Sequence, residues 1–103
     1  MILKKGVLIK GIKPETIMGI LFAESIWKTS LDTNDQMVIT SVTDGKHMKG
    51  SLHYNGYGFD VRTNFLTSAQ ITIFFDALKN HMDYEFDIVL EKTHIHIEYD
   101  PKY

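Results

Sequence analysis

The sequence predicts an α+β domain, a mainly antiparallel sheet flanked by two helices. Two amphipathic stripes with helix-start signals, several short β-branched runs, and two closing β runs separated by very few residues point to it. At 103 residues with 44% hydrophobic side chains, the chain has enough apolar material for one core, so residues 1–103 are expected to form a single domain.

Residues 2–10 mix Ile2, Leu3, Val7, Leu8 and Ile9 with lysines and lead to Gly11, which predicts an opening strand at a sheet edge. Pro14 suits a first helical turn and Glu15 suits the positive end of the helix dipole. Ile17, Ile20, Leu21, Glu24 and Trp27 then follow at helical spacing, predicting a helix over 14–30. After the polar stop at 32–35, Met37, Val38, Ile39, Thr40 and Val42 predict a buried strand. Residues 43–58 form a long loop with four glycines, the kind of connection that usually carries function. A short strand over 59–62 follows. Thr67 or Ser68 caps a second helix that ends near Met82, its stripe being Ile71, Phe74, Phe75 and Leu78. Phe86–Leu90 and His94–Tyr99 predict a terminal hairpin, with the helices on one face of the sheet and the long loop against that hairpin. The aromatic residues Phe22, Trp27, Phe74 and Phe75 are assigned to the core.

The absence of cysteine excludes disulfides and thiolate metal sites, so any transition metal must be held by histidine and carboxylate. A net charge of −2 and lysines spread along the chain offer no basic face to nucleic acid. The first ten residues break their apolar runs with lysine, which fits neither a signal-peptide core nor a membrane span. The expectation is a protein cytoplasmic where it is synthesised.

Four of the five histidines fall into two groups, His47 with His53 in the glycine-rich loop and His94 with His96 on the last strand. Residues two apart on a strand share a face, so His94, His96 and Glu98 point one way and Ile95, Ile97 and Tyr99 the other. A two-residue turn at Lys92–Thr93 sets Glu91 opposite His94, although Lys-Thr is a poor pair for the positive φ angles such turns prefer. His53 and Asp60 are seven residues apart, and on one straight strand they would face opposite sides. A bend is needed between them, which Gly56 and Gly58 permit. With it, two imidazoles and one carboxylate form an open three-ligand set that leaves a tetrahedral position for water. His81, near the end of the second helix, reads as a C-terminal cation.

The segment Ser51-Leu52-His53-Tyr54-Asn55-Gly56-Tyr57-Gly58-Phe59-Asp60, followed by His94-Ile95-His96, resembles the zinc D-alanyl-D-alanine peptidase superfamily, the M15 peptidases, and their structural cousin the hedgehog signalling domain. The likeness spans residues 37–99. It implies a hedgehog/DD-peptidase-like fold and one Zn2+ per chain on His53, Asp60 and His96, with His94 lining the site, either behind the ligands or as a transition-state group. It also implies a carboxylate general base, for which Glu91 is the choice, and substrate contacts at His47 and Ser51. Two features depart from the family pattern. The acid three residues before a ligand histidine precedes His94 as Glu91, whereas Thr93 precedes His96, so His94 stands as the alternative ligand. The usual upstream arginine is also missing, and Lys46 or Arg62 is left to steady the substrate. The implied activity is hydrolysis of D-amino-acid-containing peptide bonds of bacterial peptidoglycan, by carboxypeptidase or endopeptidase action. The chain resembles compact phage-encoded lytic endopeptidases, which reach the wall after release. The alternatives are a catalytically silent zinc-binding module and a plain structural domain with a solvated histidine face.

Overall fold

The computed structural model describes residues 1–43 and 56–102. The chain runs β1 (Ile2–Leu3), α1 (Pro14–Ser30), β2 (Val38–Ser41), β3 (Gly58–Arg62), α2 (Ser68–Met82), β4 (Phe86–Leu90) and β5 (His94–Tyr99). The sheet order is β1-β2-β3-β5-β4, with β1 parallel to β2 and every other pairing antiparallel. This is the expected α+β class, with five strands in a mixed, mostly antiparallel sheet and two helices. Among the described residues, no helix is long and apolar enough to cross a membrane.

Alternation along the strands puts Ile39, Phe59, Val61, Ile88, Ile95 and Ile97 on one face, each at most 5% exposed, where they merge with the buried sides of both helices. The helices therefore cover a single face. Trp27 of α1 meets Phe74 of α2 edge to face at 5.0 Å, and its indole N–H donates to the Asp35 carbonyl at 2.9 Å, so this buried polar atom is satisfied. Thr67 caps α2 in a reciprocal box with Gln70, the Thr67 hydroxyl accepting from Gln70 N and the Gln70 side chain accepting from Thr67 N.

The apolar stripe on α1 differs from the expected one. Its buried side is Thr16, Gly19, Ile20, Ala23, Ile26 and Trp27, while Ile17, Leu21 and Phe22 are exposed. One cause is close approach: a Cβ on Gly19 would lie 2.6 Å from Phe86 Cε1, so the helix sets its glycine at this point and turns Ile17, Leu21 and Phe22 outward. The predicted opening strand also shortens to Ile2–Leu3, because backbone turns at Lys4–Val7 and Ile9–Ile12, each with a glycine at positive φ, fold the next residues back. β2 is half-buried rather than fully buried, with only Ile39 inside and an irregularity in its pairing to β3 between Ile39 and Ser41.

Gly56 makes the bend that precedes β3, at φ +86°, whereas Gly58 lies in β3 paired with Glu98. The Gly56 carbonyl accepts from Lys13 N at 3.1 Å and from the buried Thr16 hydroxyl at 2.7 Å, tying the entry to β3 to the start of α1. A Cβ on Gly56 would stand 2.2 Å from the Gly11 carbonyl oxygen.

Two substitutions test this packing. Gly19→Ala is expected to destabilise by about 1–3 kcal/mol despite the better helix propensity of alanine. Gly56→Ala is expected to cost more than the roughly 1–3 kcal/mol of its backbone conformation alone, because the carbonyl clash adds to it. Urea midpoints measure both, and a Gly19→Ala protein as stable as wild type would mean that α1 does not pack this closely.

Candidate functional site

The helix-free face of the sheet carries the site. In the β3–β5 ladder Asp60 lies opposite His96, Arg62 opposite His94 and Gly58 opposite Glu98, and directly opposed residues share a face. β4 adds Val89 opposite His96 and Asp87 opposite Glu98. Beyond Leu90, Glu91 N donates to the His94 carbonyl at 2.9 Å, so Glu91 stands opposite His94 as the two-residue turn predicts. The turn closes with no positive φ at Lys92 or Thr93, which explains why Lys-Thr is tolerated there.

Asp60 is 8% exposed, and a buried carboxylate needs a partner. Its Oδ1 lies 2.8 Å from His96 Nδ1, and its Oδ2 lies 3.8 Å from His94 Nε2. The other ring nitrogen of His96 lies 2.5 Å from Glu98 Oε1, so this imidazole is held between two carboxylates. Burial opposes the charged form of His96, but the hydrogen bonds and charges of Asp60 and Glu98 outweigh it and raise its pKa from 6.5 to about 9. His94 Nδ1 sits 3.1 Å from the Thr93 hydroxyl.

The structure thus brings Asp60, His94 and His96 together. Glu91 shares their face but is exposed at the hairpin turn, and no hydrogen bond or ion pair joins its carboxylate to the described residues. Arg62 is half-buried and lines an open crevice with Ile2, Asn34, Val38 and Asn64. His47, Ser51 and His53 lie outside the described residues, as do Lys46 and the body of the long loop. His81 sits in the last turn of α2, as expected. Glu98 is the side chain to which sequence reasoning assigned no role. Its signal was present in the two-residue spacing His94-His96-Glu98, which puts all three on one face.

The donor set suits zinc in kind: an imidazole and a carboxylate, both borderline-hard ligands. Two ligand atoms on one tetrahedral zinc stand about 3.3 Å apart at ordinary bond lengths. The Asp60–His96 and Asp60–His94 separations of 2.8 and 3.8 Å bracket that spacing. Among the described residues no three His, Asp or Glu side chains converge as a metal-holding group, and the expected third ligand, His53, lies outside them. Comparison with family models, with curated proteins and with solved structures found no match.

The protonated His96 should make the metal-free fold pH-dependent. Its folded pKa lies above the ordinary value, so its stabilisation is fully present below about pH 6.5 and is lost as the pH rises through about 9. Urea midpoints measured in chelator are therefore expected to fall across that window in the wild type and to fall less in His96→Gln. Equal slopes in the two proteins would exclude the doubly paired histidine.

Proposed function

We propose that this protein is a zinc-dependent peptidase acting on D-amino-acid-containing peptide bonds of bacterial peptidoglycan. The observation that carries the proposal is the direct cross-strand pairing of Asp60 with His96, with His94 beside them on the same face. Those are the described members of the set that the resemblance to M15 peptidases implies, and His53 completes it. A phage-type member that reaches the wall after release agrees with this reading.

Asp60 and His96 would hold the metal together with His53. Zinc, when bound, supplies Lewis acidity toward a carbonyl and acidifies water. Glu98 accepts from His96 Nε2, which leaves Nδ1 as the ligand nitrogen and fixes the ring toward Asp60. His94, half-buried and within 3.8 Å of Asp60, would donate to charge that develops on the substrate oxygen. Glu91 takes the general-base role from the strand end opposite His94. Arg62, next along β3, steadies the substrate from the crevice.

One observation favours the alternative, a zinc-binding module without catalysis on the same scaffold: the Glu91 carboxylate touches neither Asp60 nor His96. Metal content and turnover separate the two readings. After dialysis in metal-free buffer the wild type is expected to retain one zinc per chain and Asp60→Ala to retain none. Glu91→Gln is expected to keep its zinc while hydrolysis of purified peptidoglycan falls about 10²–10⁴-fold. Zinc without hydrolysis in the wild type would leave the silent module, and no zinc even after adding it back would end both.

A further inference from the structure

Four of the eleven basic residues, Lys4, Lys5, Lys10 and Lys13, fall in the first thirteen positions, and no acid precedes Glu15. Two turns hold the exposed pair Leu8 and Ile9 between Lys5 and Lys10. Val7 N donates to the Lys4 carbonyl at 3.1 Å and Ile12 N to the Ile9 carbonyl at 3.0 Å, closing two successive turns. Each turn has lysine second and glycine third, Lys5-Gly6 and Lys10-Gly11, with the glycines at φ +92° and +83° as a type II turn requires.

The residues between the turns divide by direction. Val7 and Ile12 pack against the core, while Leu8 and Ile9 are 59% and 50% exposed. The Leu8 carbonyl accepts from both Thr43 N at 2.9 Å and the Thr43 hydroxyl at 2.7 Å, which fixes the backbone at Leu8. Lys4, Lys5 and Lys10 are exposed and form no ion pair among the described residues, whereas Lys28, Lys79 and Lys102 each bond an acid. Lys13 lies over the Tyr57 ring.

We infer that this double turn is a docking surface for an anionic phospholipid bilayer, with Leu8 and Ile9 entering the interface and Lys4, Lys5 and Lys10 meeting the headgroup phosphates. A single exposed leucine would need no explanation. Here two adjacent large apolar side chains are exposed on a fixed backbone, preceded by Lys4 and Lys5 and followed by Lys10, none of which is ion-paired among the described residues, and stable peripheral attachment needs such a pair of signals, apolar burial plus charge. Lysine stems lie along apolar surface while their ammonium groups stay at phosphate level. A soluble polyanion would use the lysines but would leave Leu8 and Ile9 without a role. The inference is independent of the reaction performed at Asp60 and His96.

Co-sedimentation with vesicles tests it, using the full chain and comparing phosphatidylcholine alone with phosphatidylcholine containing phosphatidylglycerol. Binding is expected only to the anionic vesicles. Lys5→Gln and Lys10→Gln should each weaken it about fivefold, and the double variant Leu8→Ser with Ile9→Ser should weaken it at least tenfold at unchanged thermal stability. No preference for anionic vesicles overturns the inference. So does a Leu8→Ser, Ile9→Ser protein that binds them as tightly as wild type, since that outcome would mark a polyanion site instead.

Discussion

Slipping β5 by one residue against β3 would carry Ile95 and Ile97 out of the core and drive His94 and His96 into it. That penalty holds the site in place. Phe59, Val61, Ile95 and Ile97 are fully buried under the helices, and their alternates Asp60, Arg62, His94 and His96 are thereby committed to the other face. The alignment of Asp60 with His96 is a consequence of apolar packing rather than of attraction between them. The pair forms where the core has already placed its backbones.

Once placed, these polar groups must satisfy one another. Asp60 sits almost out of water, where an unpaired carboxylate would cost far more than its hydrogen bonds return. His96 answers with one nitrogen on Asp60 and the other on Glu98, which closes a carboxylate–imidazole–carboxylate chain. The same closure means that any metal entering here must displace the proton His96 shares with Asp60. Binding of a metal at this face would therefore be coupled to pH and would release a proton.

The parts of the fold legible in the sequence are those set by local chemistry. Pro14 starts α1, a cap at Thr67, one of the two candidates Thr67 and Ser68, starts α2, and strand alternation orders the hairpin down to Glu91 opposite His94. The parts that misled depend on tertiary approach. Ile17, Leu21 and Phe22 look like a core stripe, yet the buried side turns to Gly19, Ile20 and Ala23, with Gly19 set where a Cβ would run into Phe86. Residues 4–12 have strand composition, but Gly6 and Gly11 turn the backbone before a second ladder can form. Of the candidate site, the shared face of His94 and His96 follows from a spacing of two. That Asp60 meets His96 depends on the β3–β5 pairing register, which no short-range signal specifies.

The turned-back residues have a structural consequence for the site. Thr43 is bonded twice to the Leu8 carbonyl, and the Gly56 carbonyl is bonded to Lys13 and Thr16, so both flanks of residues 44–55 rest on the segment from 8 to 16. Bringing together the ends of a free loop of that length costs about 2 kcal/mol in chain entropy. Here the hydrogen bonds at the two flanks offset that cost. His47, Ser51 and His53 thus belong to a segment whose ends are held before any ligand binds. Gly56 can serve as the downstream anchor because it alone, lacking a Cβ, lets the chain pass against Gly11 and turn into β3 with Asp60 already facing His96.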